Sequence, residues 1–381
     1  MDFDYTEAQQ DLSGLARELF TDWTEHNPRP GITGFDRELW QAMAAAGLLE
    51  AALPDRVGGN GFGLLEQCSI LTEIGRTVAP APYATSIAVA AATIGEFGDD
   101  EQVARWVRPV LQGQATIAPA LAESVVAFEA SAHPNGLLLN GIQPVVAAGA
   151  FAETFLIEAR DGARSVLALI DRDTEGLTVA GQHVVNGTDA AVLELHDVPV
   201  PETALIRAPG AAEWARRRAT LATCALQLGI LARALELTCE YARARKQFDK
   251  PIGSFQAVRQ RLADAYIDVE AVRLTLWQAA WREQQGLPAD MEIAVAKFWA
   301  AQAGHRVAHT AVHVHASTGI YLDYPMQRYF TAAKRAEFEG GSGTAQLRRI
   351  GDLLADHAAR ADPSYARGMT APDATGMFRR S

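Results

Sequence analysis

The sequence predicts a mainly helical α+β protein, in which a β-rich domain lies between an N-terminal helical domain and a C-terminal four-helix bundle. Near both ends, apolar residues recur at intervals of three and four, the period of a helix with one buried face. In between, short apolar runs alternate with Gly, Pro, Asn and Asp, which is typical of strands joined by tight turns. The chain has 381 residues, 49% of them hydrophobic, enough for two or three packed domains.

The N-terminal part is predicted to be helical. Thr6 and Gln9 have the spacing of a capping box at the start of a first helix. Further helices are expected within residues 35–54, 66–78 and 85–97. The glycine-rich run between the second and third helices follows no predicted strand and precedes no Lys-Ser/Thr pair. We therefore interpret it as a helix connector rather than a phosphate-binding loop.

The middle part is predicted to form strands. Asn140 and Gly141 stand between apolar residues, a pattern that indicates a hairpin turn. The expected strands are residues 115–121, 136–140, 154–159, 165–170, 177–179 and 191–198. The expected boundaries give an N-terminal helical domain at 1–114, a middle β-rich domain at 115–209, a C-terminal helical bundle at 210–362 and a tail at 363–381.

The segment from Tyr241 to Leu262 is predicted to be a basic turn between two long helices. Pro251 and Gly253 interrupt the helical pattern, and Ser254 has the position of an N-cap for the second helix. Two apolar faces flank the turn, formed by Leu221, Cys224, Leu228, Leu231, Leu235 and Thr238 before it and by Leu262, Ala265, Val269, Val272 and Leu276 after it. Its cations are Arg243, Arg245, Lys246 and Lys250. They suit an anion such as a phosphate, although a solvated basic turn is the alternative.

Composition excludes several classes of function. A net charge of −12 argues against nucleic acid as the main partner. The three cysteines have no disulfide or zinc spacing, and Cys224 and Cys239 fall within helical patterns. We expect neither a signal peptide nor a membrane-spanning segment, and we expect the protein to be cytoplasmic.

Five residues of the basic turn follow the pattern R-x-x-F-x-x-x-I-x-x-F-Q, namely Arg245, Phe248, Ile252, Phe255 and Gln256. This pattern resembles the flavin-binding turn in the C-terminal domain of acyl-CoA dehydrogenases. The resemblance implies that the turn reaches across a subunit interface to the ADP half of FAD on a neighbouring subunit. Asp249 departs from the family, which usually has Gly at that position.

A second segment resembles the family's Q-x-x-G-G-x-G motif, which also lies against the cofactor. His313 replaces the Gln, Ala316 and Ser317 replace the paired glycines, and Gly319 is retained. The resemblance implies that these four residues bind FAD, because every substitute for glycine is small. His305, His309 and His313 recur at intervals of four, and we interpret them as a polar stripe between helices rather than a metal site.

The family's catalytic base is missing from its usual positions. Most members carry a Glu just before a Gly-Thr pair, where this chain has Ser342. Others carry it on the helix before the basic turn, at the position of Ala219. A hydroxyl is far too weak a base to replace a carboxylate. Glu337 and Glu339 are the nearby alternatives, in a stretch about two residues longer than in the family.

The middle domain also departs from the family. Residues 120–131 stand in place of the motif T-E-P-x-x-G-S-D, and residues 144–147 in place of W-I-T against the flavin ring. The chain thus resembles the smaller, β-type subunit of actinobacterial α2β2 steroid side-chain acyl-CoA dehydrogenases. That resemblance implies a catalytic partner subunit, FAD, an acyl-CoA substrate and an electron-transferring flavoprotein. Two alternatives are a self-sufficient homotetrameric dehydrogenase using Glu339 or Glu337 and a flavin-free scaffold pseudoenzyme.

Overall fold

A computed structural model describes residues 3–27, 35–122 and 127–361. The predicted tail at 363–381 and four residues of the 120–131 segment lie outside this range. The described chain has the predicted order of parts: helices, then a β-sheet, then helices. Its buried apolar residues form one large core cluster that runs through all three parts. The predicted fold class is therefore confirmed.

The N-terminal part begins with the predicted capping box. The Gln9 backbone N–H donates to Thr6 Oγ1 at 3.3 Å, and the Thr6 N–H donates to Gln9 Oε1 at 3.1 Å. The helices are α1 (Glu7–His26), α2 (Arg37–Ala45), α3 (Leu64–Thr77), α4 (Ala92–Phe97), α5 (Asp100–Gln102) and α6 (Arg108–Leu111). Two π-helical stretches accompany them, Ala84–Ala91 before α4 and Val103–Val107 between α5 and α6. The glycine-rich run joins α2 to α3, as the connector interpretation requires.

The middle part is an eight-stranded sheet in the order β6-β7-β3-β2-β4-β5-β8, with β1 paired to β4. Its strands are β1 (Ile117–Ala120), β2 (Phe128–His133), β3 (Gly136–Val146), β4 (Thr154–Asp161), β5 (Arg164–Asp171), β6 (Leu177–Val184), β7 (Gly187–Pro201) and β8 (Leu205–Ile206). Sequence analysis missed β2 because its run FEASAH is mostly polar or small. Nevertheless, β2 pairs antiparallel with β3 and parallel with β4 at the centre of the sheet.

The hairpin prediction at Asn140-Gly141 is wrong. Both residues lie inside β3, at a register shift between Leu139 and Gly141 opposite β7. The Asn140 side chain holds this irregularity: its Nδ2 donates to Asp197 Oδ1 at 2.9 Å, and its Oδ1 accepts from the Asp197 N–H at 2.8 Å. A residue pair that favours left-handed turns also favours β-bulges, so the local pattern could not separate the two.

The C-terminal part contains five helices and a small hairpin. They are α7 (Ala211–Ala244), β9 (Lys246–Gln247), β10 (Lys250–Pro251), α8 (Gln256–Gln284), α9 (Asp290–His315), α10 (Met326–Phe338) and α11 (Gly343–Ala361). The six predicted apolar positions before the turn are all buried, and of the five after it only Leu262 is partly exposed. Ser254 is not the N-cap of α8. Phe255 holds that position, and the Ser254 hydroxyl donates instead to the Pro251 carbonyl at 2.7 Å.

Helix α7 is the central element of the C-terminal part. It packs against α3, α8, α9 and α10. Glycines allow its close crossing with α3, since a Cβ at Gly229 would lie 1.9 Å from the Thr72 carbonyl oxygen and one at Gly75 would lie 2.1 Å from the Leu226 oxygen. Among the described residues, α7 is the one helix long and apolar enough to cross a membrane, but 67% of its apolar window is buried inside the protein. It is therefore a core helix.

Polar contacts join the three parts. The Tyr329 hydroxyl donates to the Arg76 carbonyl at 2.7 Å, which links α10 to the end of α3. Arg335 on α10 donates to both carboxylate oxygens of Asp189 on β7, at 2.5 and 2.8 Å. The three cysteines are free thiols; Cys68 and Cys224 are buried. Helix α10 thus attaches the C-terminal helices to the N-terminal helices through Tyr329 and to the sheet through Arg335.

Candidate functional site

The basic turn folds as a two-residue hairpin between β9 and β10. Gln247 pairs with Lys250, which leaves Phe248 and Asp249 at the tip. Both tip residues have positive φ, 54° for Phe248 and 63° for Asp249, as a type I′ turn requires. Asp tolerates this conformation better than most residues, but a bulky Phe is rarely found in it. The hairpin thus holds Phe248 outward with 85% of its surface exposed.

The hairpin is fixed to the ends of α7 and α8. Arg245 is the C-cap of α7, and the Ile252 N–H donates to its carbonyl at 2.8 Å. Phe255, the N-cap of α8, meets the Phe248 ring edge-on at 6.3 Å between centroids. Lys250 Nζ lies 4.6 Å above the Phe255 ring. The five residues of the family pattern therefore form one continuous patch, which ends at the exposed Gln256 on the first turn of α8.

The cations of this patch form no ion pairs within the described chain. Arg243, Arg245, Lys246 and Lys250 are all exposed, and none forms an ion pair with any residue the structure describes. Arginines elsewhere are frequently paired, as Arg207 is with Asp161 at 2.9 Å. Four unpaired cations beside an exposed aromatic ring favour an anionic ligand with an aromatic or apolar part.

The segment from His313 to Gly319 forms the end of α9 and a short 3-10 turn. His313, Ala316 and Ser317 are exposed, whereas Gly319 is buried. A Cβ at Gly319 would lie 3.0 Å from His315 Cβ, so this position favours glycine. Ala316 has φ 54° and ψ −139°, a conformation typical of glycine. The backbone at Ala316 thus has a conformation that glycine adopts without strain.

Sequence analysis missed His315, which connects the two predicted segments. Its buried ring stacks on Tyr241 at 4.4 Å and lies 5.3 Å from the Tyr324 ring. Its Nδ1 is 2.9 Å from the Ala311 carbonyl oxygen, and burial lowers the pKa of the imidazole. Tyr241 precedes Arg245 by one helical turn, so this stack holds the 313–319 turn beside the end of α7, where the hairpin begins. No sequence spacing marks His315, because its two ring partners, Tyr241 and Tyr324, lie in two other segments.

Ser342, which is predicted to stand at the position of the base, is a helix cap. Ser342 lies directly before α11, where its Oγ accepts the Ala345 N–H at 3.4 Å and its carbonyl accepts the Gln346 N–H at 3.0 Å. The two preceding glycines, Gly340 and Gly341, both have positive φ, at 71° and 99°. They accommodate the longer connection in a left-handed turn. The other family position, Ala219 on α7, carries no ionisable group.

Both alternative carboxylates are held in ion pairs. Glu337 contacts Lys334 and lies 3.6 Å from His305 Nδ1, on the side of α10 that faces α9. Glu339 Oε2 lies 3.5 Å from Arg335 Nε. The main chain beside them is also fixed, because the fully buried Lys297 donates to the carbonyls of Ala336 and Glu337, at 3.1 Å each. Glu337 and Glu339 therefore have different neighbours, and each carboxylate is engaged with a cation of α10.

Two further features complete the comparison with the predicted site. In the 144–147 segment, Val145 is about half exposed and Val146 is buried, so the described side chains there offer no hydrogen bond to a ligand. His305 lies 3.3 Å from Lys334 Nζ, and the His309 ring packs edge-on against Phe330. Burial and the neighbouring His305 lower the pKa of His309. Within the described ranges, no group of three His, Cys, Asp or Glu side chains could hold a metal ion.

Comparisons with known proteins agree with this architecture. Residues 6–114 match the family described as acyl-CoA dehydrogenase, N-terminal domain, and residues 211–355 match the corresponding C-terminal domain. The chain is 41% identical to acyl-CoA dehydrogenase FadE27 of Mycobacterium tuberculosis, covering 93% of this chain and 99% of that protein. It is 28% identical to the probable acyl-CoA dehydrogenase YngJ of Bacillus subtilis, over 92% of this chain and 98% of that one.

Solved structures are similar over the same span. A chain in the crystal structure of the ChsE4-ChsE5 complex from Mycobacterium tuberculosis superposes with a TM-score of 0.88 at 41% identity, covering 93% of this chain and 99% of that chain. A chain in the structure of a variant of the Tcur3481-Tcur3483 steroid ACAD superposes with a TM-score of 0.86 at 36% identity, with the same coverage of both chains.

Proposed function

The chain belongs to the acyl-CoA dehydrogenase family of oxidoreductases that act on CH–CH bonds, and on that premise we propose that it is the ADP-binding partner subunit of a two-chain enzyme. In this proposal, the hairpin and the 313–319 turn contribute to a FAD site that a second, different chain completes. One contrast carries the proposal: Phe248 and four unpaired cations project outward, whereas the position of the base holds Ser342 as a helix cap.

The chain's residues fit one half of FAD. The ADP half carries two phosphates and an aromatic base, which match Arg245, Lys246 and Lys250 and the exposed ring of Phe248. His313, Ser317 and the exposed backbone around Ala316 are further contacts in this proposal. The flavin ring, which accepts the hydride when FAD is bound, finds no matching polar set at residues 144–147. We therefore assign the ring contacts and the catalytic base to the partner chain.

The assembly we propose is an α2β2 heterotetramer located in the cytoplasm. Its similarity to chains of the ChsE4-ChsE5 complex and of a steroid ACAD supports a heteromeric enzyme. We propose an acyl-CoA substrate, specifically a steroid with a CoA thioester side chain, and an electron-transferring flavoprotein as the electron acceptor. The boundaries at 114/115, 209/210 and 362/363 are proposed as the limits of its domains and tail.

Activity measurements on separate and combined chains test this proposal. The chain is purified alone and after co-expression with the dehydrogenase-like proteins encoded beside it, and both samples are assayed for α,β-desaturation of acyl-CoA thioesters. We expect activity from the co-expressed complex and none from the chain alone. Desaturation by the chain alone would contradict the two-chain assignment.

A self-sufficient homotetramer is the second candidate, and one observation selects its base. Glu339 is about 40% exposed at the side chain and makes a single long contact with Arg335, whereas Glu337 is enclosed by Lys334 and His305. This candidate requires Glu339→Gln to abolish turnover by the isolated chain. The third candidate, a flavin-free scaffold, requires that no complex containing this chain shows flavin absorbance.

A further inference from the structure

A buried guanidinium without a carboxylate partner lies where α3, the π-helical stretch Ala84–Ala91 and α7 meet. Arg218 of α7 is 9% exposed, and its Nε donates to the Ala88 carbonyl at 3.3 Å. Its Nη2 donates to Gln67 Oε1, and its Cζ lies 5.0 Å from the centre of the Trp214 ring. No carboxylate of the described chain forms an ion pair with it. Because an arginine is charged at neutral pH, a full positive charge is buried here.

Two other hydrogen-bond donors lie beside this charge without partners. The amide nitrogen of Gln67 and the hydroxyl of Tyr83 are both fully buried, and neither makes a hydrogen bond of good geometry within the described chain. Burial raises the pKa of Tyr83, while a hydrogen-bonding contact with the Gln67 side chain and the Arg218 charge lower it, so the three groups are neighbours. Because its pKa remains raised, the hydroxyl keeps its proton and acts as a donor.

No acidic side chain of the described chain is in ion-pair contact with Arg218. Burial raises the pKa of the nearby Cys68 thiol to about 12, which keeps it protonated at neutral pH. The acids that act on Arg218 from a distance are Glu283 and Glu96, and Glu283 is already paired with Arg217 at 3.0 Å. A buried charge without a counter-charge is strongly destabilising. A water molecule would satisfy the free donors but would leave this charge uncompensated.

We propose that Gln67, Tyr83 and Arg218 form a buried binding site for a small monovalent anion, either a halide such as chloride or a carboxylate of the size of formate. Such an anion accepts from the Tyr83 hydroxyl, the Gln67 amide and the guanidinium, and it neutralises Arg218. It thereby ties α3, the π-helical stretch and α7 together inside the core. The site is independent of the proposed flavin-binding role, which concerns the opposite end of α7.

Bromide diffraction and anion-dependent melting test the site together. Crystals of the full chain grown or soaked in sodium bromide are expected to show an anomalous peak within hydrogen-bond distance of Arg218. In solution, the melting midpoint is measured in chloride, bromide, formate and gluconate at constant ionic strength. For a site occupied in the folded state, the midpoint rises with the logarithm of the anion concentration. Gluconate, which is too large to enter, gives the baseline, and comparing halide with formate identifies the class of anion.

Variants at this junction separate the site from general salt effects. Arg218→Met is expected to abolish the difference between chloride and gluconate, whereas Arg217→Met, on the preceding residue, keeps it. If Arg218→Met does not fold, Tyr83→Phe removes one donor and is expected to weaken the anion response several-fold. An ordered water in place of a bromide peak, or equal midpoints in all four salts for the unmodified chain, would overturn the proposal.

Discussion

The hairpin at the end of α7 and the connection between α10 and α11 differ in whether their charged side chains are paired within the chain. Around the connection, Glu337 and Glu339 are engaged with cations of α10, and the buried Lys297 binds the main-chain carbonyls at the end of that helix. At the hairpin, Arg245 and its neighbouring cations form no ion pair with any described residue, and Phe248 is exposed. The charges of the first region are paired within the chain, whereas the second region presents its charges and an aromatic ring at the surface.

This difference indicates how a site can be divided between chains. Polar groups that act within one chain are normally paired in its fold, because unpaired buried groups are costly. Solvent tolerates unpaired cations, but a bulky aromatic residue held outward at positive φ is an unusual arrangement. The connection after α10 is thus paired within the chain, whereas the hairpin presents an exposed ring and cations that form no ion pair in the described chain.

We expect the largest change in unfolding free energy in the α10 region, where the charges are paired within the chain. Asp189→Ala leaves the largely buried Arg335 with only its longer contact to Glu339, and breaking a buried pair costs up to about 3–5 kcal/mol of unfolding free energy. Urea unfolding measures this loss. Asp161→Ala is the matched control, because its pair with Arg207 is exposed and should contribute at most about 1 kcal/mol. Equal losses for both variants would mean that the α10 region is not internally fixed.

The next effect concerns the hairpin and should appear in binding alone. Arg245→Ala removes a charged donor, which is worth about 1.5–3 kcal/mol, so FAD affinity of the two-chain complex should fall roughly 10–100-fold. Its unfolding free energy should not change, since the side chain is exposed and unpaired within the described chain. Flavin fluorescence titration measures the affinity, with Arg160→Ala in the middle sheet as the control. Unchanged affinity would argue that the hairpin does not contact the cofactor.

A smaller gain in stability should follow Ala316→Gly. This residue holds φ 54° and ψ −139°, and such a conformation costs a non-glycine residue about 1–2 kcal/mol. Glycine also increases the entropy of the unfolded chain by about 0.4–1 kcal/mol, so the net rise in unfolding free energy should be about 0.5–1 kcal/mol. Ala345→Gly, in the first turn of α11, is the opposite control and should lower it by about 0.5–1 kcal/mol. A loss of stability on Ala316→Gly would refute the strain at this turn.

The smallest effect is expected for the two alternative bases. If the partner supplies the base, Glu337→Gln and Glu339→Gln should each change desaturation by the complex less than about twofold, since only local ion pairs are altered. Steady-state rates of the reconstituted complex measure this. A fall of roughly 100-fold or more for either variant would assign the base to this chain.

Local patterns in the sequence predicted the helical framework well. The buried faces of α7 and α8 follow from spacing alone, because one helix face repeats every three to four residues. The capping box at Thr6 is equally local. The wrong or missing predictions involved partners distant in sequence. Strand β2 is held by its neighbours in the sheet, and Asn140 is held by Asp197 on β7. The prediction of Ser254 as an N-cap was wrong because the chain makes a 3-10 turn before α8 begins.

For the candidate site, sequence patterns identified residues but not their surroundings. The resemblance located Arg245, Phe248 and Ser342, and the structure added that one ring projects outward while one hydroxyl caps a helix. His315 could not be found in this way, since its role depends on Tyr241 and Tyr324 from other segments. Likewise, only three-dimensional packing reveals that Glu337 lies beside His305.

The most direct test of a divided site is a flavin count on the purified complex. The assembly formed on co-expression is isolated, its two chains are quantified by amino-acid analysis, and FAD is measured by absorbance after release. The two-chain account predicts one FAD for each pair of unlike chains and none on this chain alone. One FAD for every copy of this chain, in the absence of any partner, would contradict it.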